Sequence, residues 1–447
     1  MPSGKDNAIP KGRRAVVIGG ARTPFVKAFG EFLSLDTIDL GVAAVRGLLQ
    51  RYPVGRDQIG GVIWGGVILP GLAPNVGREI VLDLGLPAAV EAMTVSRACT
   101  SGLQAITLAA AAIERGEADL MIAGGSDSTS NAEIKLPQKL VRAAAPVLMA
   151  GKNRPQDYLS LASQLWPLGE VLPRMPRIAE RTTGKTMGEA AEEMARRNEI
   201  SRADQDAFAV TSHQRAARAA ETGRLAREIV PVEVQGRTVV TDNLIRGDTS
   251  LAKLEKLRPA FAPRDRHGAA SGSGTITAGN ASALTDGGAA VLLASEDKAR
   301  ALGLKPLARF SSWAYVGVDP ADQLLIGPAL AVPLALDRAG SDLAAMDLVD
   351  MHEAFAAQVL SVMKLLGSSN FARARLGRER AVGSVDPGRF NVWGGSLALG
   401  HPFAATGARM VTTMANELAD TGKRTALLAI CAAGGLGAAA VLENADA

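Results

Sequence analysis

Along most of this chain, short apolar runs alternate with longer stretches of small residues at helical spacing. An apolar run of about four to eight residues between turn signals reads as a buried strand, and a longer stretch with helical period reads as a helix. "RRAVVIGGARTPF" therefore predicts a strand that leaves through a glycine-rich turn, and "IGGVIWGGV" predicts another. "CTSGLQAITLAAAAIERGEAD" predicts a helix of small residues that stops at charges and is followed by the strand "LMIAGG". Strands and helices in alternation define α/β architecture.

The C-terminal part repeats that plan. "HPFAATGARMVTTMANELADTGKR" predicts a second small-residue helix, and "TALLAICAAGGLGAAAVLE" predicts a strand, a glycine-rich turn and a strand. Both copies end on a double glycine, Gly124-Gly125 and Gly434-Gly435. An internal duplication explains this economically. Two related halves packed together would bring the N-terminus of each central helix to a shared centre. Chance likeness between Gly/Ala-rich segments is the alternative, and the pattern by itself leaves both open.

Between Ser126 and Ser282 the chain turns rich in charge, proline and arginine, with helical patterns such as "MGEAAEEMARRNEISRADQDAFAVTSHQRAARAAE". This reads as an insertion carried by the first half. Within it, the stretch around Leu140–Arg177 has basic, amphipathic pieces broken by prolines. A surface excursion or subunit contact is the plainer reading; a membrane-surface or partner-docking element is the sharper one.

Length and composition narrow the class. A chain of 447 residues exceeds one ordinary domain. Its 47% hydrophobic and 21% charged residues fit a globular protein with a large core. The 48 glycines suit close backbone packing. Two cysteines cannot build a disulfide framework, so the expected compartment is the reducing cytoplasm. The net charge of +4, with no basic cluster interleaved with aromatics, argues against nucleic acid and suits a small phosphate-bearing ligand. "MPSGKDNAIPKGRR" carries no apolar core of a secretory signal, and no apolar run is long enough to span a bilayer.

The candidate chemistry lies at element junctions, where sites on α/β folds are found. Cys99 opens the first small-residue helix, and a thiol pKa falls at a helix N-terminus or beside a histidine. A buried structural cysteine is the more common case. Of the four histidines, His213 and His267 read as solvated surface residues. His401, among the glycines of "NVWGGSLALGHPFAATGAR", and His352, in "VDMHEAFAAQVL", read as chemical. Cys431 sits where a strand enters a glycine-rich turn. No pair has zinc-ligand spacing, so no metal is expected.

Taken together, "GARTPF", "SRACTSGLQA", "GTITAGNASALTDGGAAV", "HEAFAAQ", "GGSLALGHPFAATGAR" and "CAAGGLGAAAVLE" resemble the thiolase family. The resemblance is greatest to the β-subunit type of the fatty-acid oxidation trifunctional enzyme, a 3-ketoacyl-CoA thiolase. It implies two duplicated βαβαβαββ halves in a five-layer αβαβα sandwich. Residues 1–126, completed by about 283–304, would form the first half, 127–282 a mostly helical inserted loop domain, and 305–447 the second half. It also implies an acyltransferase of fatty-acid β-oxidation that cleaves 3-ketoacyl-CoA with free CoA as co-substrate and no bound cofactor. Cys99 would be the nucleophile, His401 its base, and Cys431 the general acid and base. The N–H groups of Cys99 and Ala433 would form one oxyanion hole, His401 and His352 the other. Ser282, Arg246 and Met187 would contact CoA. A homodimer, an α subunit with hydratase and dehydrogenase activities, and peripheral membrane contact are the implied partners.

The chain departs from the family pattern in places. His352 stands where most thiolases carry asparagine, Ala433 and Ala404 stand at usual glycines, and Thr186 stands where many relatives have histidine. Acetoacetyl-CoA synthesis or cleavage is the alternative activity. A ketosynthase is disfavoured by Cys431, and a non-catalytic acyl-CoA-binding subunit by retention of all four reactive side chains.

Overall fold

The computed structural model describes residues 13–134, 136–149, 154–165, 179–261 and 274–447. Two compact units divide the chain: Met1–Asn131 with Ala179–Ala447, and Ala132–Ile178. The smaller unit contains the helices Gln138–Met149 and Pro155–Gln164, with Leu148, Met149, Tyr158 and Leu159 exposed. Much of the stretch read as a docking element, and His267, lie outside the described residues.

The larger unit holds the strands β1 (Ala15–Arg22), β2 (Val26–Lys27), β3 (Gly61–Gly65), β4 (Glu91–Val95), β5 (Leu120–Ser128), β6 (Val232–Val234), β7 (Arg237–Val239), β8 (Thr285–Ser295), β9 (Ala308–Gly317), β10 (Leu348–Met351), β11 (Thr425–Ala432) and β12 (Leu436–Asn444). The first half-sheet runs β4-β3-β5-β8-β1, with β3 parallel to β4 and β5, and β8 antiparallel to β5 and β1. The second runs β10-β11-β12-β9, parallel at β10–β11 and antiparallel after it. The two meet where β1 pairs with β9 at Val16–Arg309 and Val17–Ala308. Strands buried on both faces read as continuous apolar runs, which is why "AVVIGG" and "ALLAICA" show no alternation.

Alternate residues of each strand enter different cores. Ala289, Val291 and Leu293 of β8 face the central core, which also takes Leu428 and Ile430 of β11 and side chains from the helices Ser101–Glu114 and Ala404–Thr421. Ala290 and Leu292 face an outer core under the helices Thr37–Arg51 and Val76–Asp83. Leu427, Ala429 and Cys431 face the other outer core, under Gly327–Ala339 and Ala356–Leu366. The order is helices, sheet, central helix pair, sheet, helices, as the five-layer expectation required.

The duplication is visible in the strand plan, with one difference. In the second half, the place that β4 takes in the first is filled by a single bridge between Val349 and Phe390. "DPGRFN" cannot extend further: Pro387 lacks a ladder donor, and Asn391 has φ of +40°.

The two central helices touch backbone to backbone. A Cβ on Gly102 would lie 2.1 Å from the Ala404 carbonyl oxygen, and one on Gly407 would lie 2.5 Å from the Leu103 nitrogen. A Cβ on Gly125 of β5 would lie 2.6 Å from the same Ala404 oxygen. Behind them, Arg22 is fully buried and forks onto both oxygens of Asp242 at 2.7 and 2.8 Å, fastening the segment after β7 to β1.

Gly102→Ala should cost about 3 kcal/mol or more, because the clash is with backbone that cannot rotate away. Gly303→Ala, at φ +66° with nothing within 4 Å, should cost about 1 kcal/mol through conformation alone. Urea unfolding midpoints of the two variants measure that difference.

Candidate active site

Each reactive side chain is presented by a constrained junction. Cys99 follows β4 and precedes the N-cap Thr100, so it lies just outside the central helix that begins at Ser101. Its neighbour Ala98 has φ of +46°, a costly conformation for a residue with a Cβ. The turn is held by Ser101 Oγ, which accepts from the Arg97 N–H at 2.7 Å and donates to the Ala98 carbonyl at 2.6 Å.

His401 follows Gly400, at φ +89°, where a Cβ would strike Thr285 Cγ2 at 2.3 Å. Its backbone bridges to Leu284, and its N–H donates to the Ala283 carbonyl at 3.3 Å. His352 extends β10 by one residue, donating its N–H to Ala429 at 2.8 Å. Cys431 lies in β11 opposite Gly437, with no exposure.

These positions converge. The two imidazole centroids are 4.1 Å apart, with rings inclined at 43°. One nitrogen from each ring and the Cys99 sulfur lie within 4.8 Å of one another. His352 Nδ1 pairs with Ser396 Oγ at 2.9 Å, and His401 Nδ1 pairs with Thr406 Oγ1 at 2.7 Å. Both Nε2 atoms are buried, without a hydrogen-bond partner among the described residues. The N–H groups of Ala433 and of Cys99 itself act on the Cys99 sulfur, and Cys431 feels charge placed on Cys99.

The electrostatics correct one expectation. Cys99 is not a resting thiolate: burial, reinforced by the Asp127 carboxylate, pushes its thiol up to about 12, against the pull of the two N–H groups. Burial also drives Cys431 well above the usual thiol range, with charge on Cys99 adding to it. Burial lowers His401 to about 3, helped by the Arg409 cation. His352 falls well below the ordinary imidazole value through burial, His401 and Arg409. The resting pocket is therefore two thiols and two neutral imidazoles. Neutral imidazole leaves one ring nitrogen to accept and one to donate, according to tautomer.

His213 is a second correction. It is buried, and its Nδ1 accepts the Arg246 N–H at 3.2 Å. Burial, with Arg246 adding to it, lowers it to about 4. The helical pattern "TSHQRAARAAE" hid this, because the buried residues that share the helix with His213 are polar (Gln205, Asp206, Ser212) or alanine (Ala209, Ala216, Ala219).

The expected CoA contacts are less concentrated. Ser282 donates its N–H to the Ala354 carbonyl at 3.0 Å, so it lies against the loop that carries His352. Arg246 is exposed, and Met187 is the half-buried first residue of the helix Met187–Arg197, capped by Thr186. No hydrogen bond or ion pair links either of them to Cys99 among the described residues.

Several functional supports were not singled out from sequence. Asp127 accepts the N–H groups of Val67 and Ile68 on one oxygen, at 2.8 and 2.6 Å, and of Ala404 on the other, at 2.9 Å. Burial outweighs those bonds and pushes it up to about 7. Glu353 accepts from Ser212 and Asn391, both at 2.7 Å, and from the Leu397 N–H at 3.2 Å. Arg409 pairs with Asp350 at 3.0 Å, both nearly fully buried. An acid inside an apolar run, as in "AGGSDS" and "MHEAF", is the signal that could have found the first two.

Comparison with known proteins shows the family. Residues 15–297 match the family described as "Thiolase, N-terminal domain", and residues 304–444 match "Thiolase, C-terminal domain". The chain is 46% identical over 436 residues to a 3-ketoacyl-CoA thiolase of Yersinia pestis (strain Pestoides F), covering 97% of each chain. The same figures hold for that of Yersinia pseudotuberculosis serotype O:3 (strain YPIII). Among solved structures, the Bacillus anthracis acetyl-CoA acetyltransferase superposes with a TM-score of 0.79 at 31% identity, covering 97% of this chain and 99% of that one. Human mitochondrial 3-ketoacyl-CoA thiolase in complex with CoA gives 0.78 at 30% identity, covering 97% and 98%. The chain belongs to the thiolase family.

A thiol protonated up to about pH 12 should be alkylated by iodoacetamide at a rate that climbs almost tenfold per pH unit from 7 to 9. Asp127 ionises in the lower part of that range and should flatten the slope there, since its charge opposes the thiolate. Peptide mapping of modified Cys99 measures the rate. A plateau below pH 8 would mean a preformed thiolate.

Proposed function

We infer that the protein catalyses CoA-dependent thiolytic cleavage of 3-ketoacyl-CoA to acetyl-CoA and an acyl-CoA shorter by two carbons. The observation that carries this reading is the meeting of Cys99, His352 and His401 within 4.8 Å, with Cys431 in electrostatic reach. The relatives named 3-ketoacyl-CoA thiolase support it at 46% identity.

The assigned roles follow the protonation states. With Nδ1–H donating to Thr406, His401 Nε2 accepts the Cys99 proton as the sulfur attacks the C3 carbonyl. Proton transfer from so weak an acid is unfavourable alone. It is drawn forward because carbon–sulfur bond formation removes the sulfur charge as it develops. Negative charge passes to the carbonyl oxygen, for which the N–H groups of Cys99 and Ala433 are the assigned donors. The C2–C3 bond then breaks, leaving the acyl group on Cys99 and an acetyl-CoA enolate. The enolate oxygen is assigned to the hole made by His352 and His401, and Cys431, held protonated by burial, gives its proton to C2. In the second half, Cys431 takes the proton of incoming CoA, whose sulfur attacks the thioester and releases Cys99, which is reprotonated.

Ser282, Arg246 and Met187 are assigned to the CoA arm; for Ser282, adjacency to the His352 loop supports it. The halves 1–126 with 283–304 and 305–447, and the insertion 127–282, are our proposed domains. A dimer, an α-subunit partner docking through the Leu140–Arg177 region, and a reducing cytoplasmic setting that keeps both thiols free are proposed on the family likeness. No helix among the described residues is long and apolar enough to cross a membrane.

Purified protein mixed with a 3-ketoacyl-CoA and CoA should consume the ketoacyl absorbance, and a chain-length series separates this reading from an acetoacetyl-CoA specialist. Cys99→Ser should lower kcat by about 10³-fold or more while leaving the unfolding midpoint unchanged. Cys431→Ala should still accumulate an acyl adduct on Cys99, visible by mass spectrometry. Absence of that adduct refutes the division of labour between the two thiols. His352→Ala should lower kcat about 10²-fold, as loss of one oxyanion donor does, with His352→Asn recovering part of it.

A further inference from the structure

The cluster assigned to the thiolytic reaction also has the donor set of a metal site. Zinc-type ions take thiolate sulfur and imidazole nitrogen in a tetrahedron, with metal–sulfur bonds of about 2.3 Å and metal–nitrogen bonds of about 2.0–2.1 Å. Those lengths put ligand atoms roughly 3.3–3.6 Å from one another. Here one ligand atom from each of Cys99, His352 and His401 already lies within 4.8 Å of the other two. Both Nδ1 atoms are engaged by hydroxyls, so each ring has Nε2 left to offer, buried and without a partner among the described residues. Ser396 and Thr406 fix the ring planes in the way that outer hydrogen bonds orient metal-ligating histidines. Closing separations of up to 4.8 Å to that spacing takes at most about 1.5 Å of side-chain movement and completes a three-ligand site with its fourth position open.

We propose that this pocket binds a borderline-soft divalent ion, zinc or its congeners cobalt(II) and cadmium, through Cys99 Sγ, His352 Nε2 and His401 Nε2, and that the ion blocks the nucleophile reversibly. The Cys99 S–H bond breaks, its proton goes to solvent, and the sulfur–metal bond forms. The ion keeps its oxidation state, so no oxidant or reductant takes part. His352 decides the site: an asparagine in its place offers no imidazole nitrogen and leaves only two good donors. Spacing along the chain gave no hint of this, because the three ligands come from separate segments of both halves.

Cobalt(II) is the probe, added to the reduced full-length protein. The expected result is one equivalent bound, with a thiolate-to-cobalt charge-transfer band in the near ultraviolet and visible bands of tetrahedral intensity, both abolished by zinc. Zinc should protect Cys99 of the wild-type protein from iodoacetamide at least tenfold, and a chelator should reverse the protection. Cys99→Ser should remove the charge-transfer band, and His352→Asn should weaken cobalt binding at least tenfold. A wild-type protein that shows no band, or no zinc protection of Cys99, overturns the proposal whatever the variants do. A band that survives Cys99→Ser, or unchanged affinity in folded His352→Asn, overturns it as well. These readouts need no turnover, so failure of the thiolytic assignment and failure of metal binding are told apart.

Discussion

The structure depends on one close approach: the central helices Ser101–Glu114 and Ala404–Thr421 pack with almost no side chain between them at their N-terminal ends. Gly102, Gly407 and Gly125 are the positions where any Cβ would meet backbone. That contact sets the spacing of the two half-sheets, because both lay alternate residues on the core built around this helix pair. It also sets the site. Cys99 stands just before one helix and His401 three residues before the other, so the distance between the Cys99 thiol and the His401 imidazole is fixed by helix packing rather than by flexible loops.

At rest, burial favours the neutral forms of the reactive groups in this pocket. Ionising an isolated buried group costs more than a few hydrogen bonds return. The structure follows that rule: thiols are pushed up, imidazoles pushed down, and Asp127 is raised to about 7 by burial against three N–H donors. Charge is tolerated where it is paired, as between Arg409 and Asp350, and that cation in turn helps to keep both histidines unprotonated. A helix N-terminus in such a setting does not stabilise a resting thiolate. On the proposed mechanism its contribution, and that of the Ala433 N–H, comes when charge appears on the substrate oxygen.

The sequence revealed the elements better than the environments. The runs "AVVIGGAR", "LMIAGG" and "TALLAICA" became strands, and both small-residue helices formed, since a strand between two helix layers must be apolar on both faces. The four reactive residues were legible because each interrupts such a run at a junction. What the sequence concealed depends on three-dimensional neighbours: the burial of His213 on a helix face without large apolar residues, the missing edge strand at Phe390, and the direction of the Cys99 shift. A local rule about helix termini predicts a lowered thiol pKa; it omits the desolvation and the Asp127 charge, which come from elements distant in sequence.

His352 shows how one side chain can serve and constrain a site together. A neutral imidazole whose Nδ1 accepts from Ser396 Oγ presents Nε2–H, a donor for an enolate oxygen; the opposite tautomer presents a lone pair. His401 faces the same choice through Thr406. On the proposed mechanism His401 accepts and His352 donates during acylation, so the two rings, 4.1 Å apart, would take different tautomers, each matched to its hydroxyl partner. When both rings present lone pairs beside the thiol, the pocket becomes a set of soft donors. The hydroxyls of Ser396 and Thr406 thus govern more than ring orientation: by selecting tautomers they decide whether the cluster faces an oxyanion or a cation.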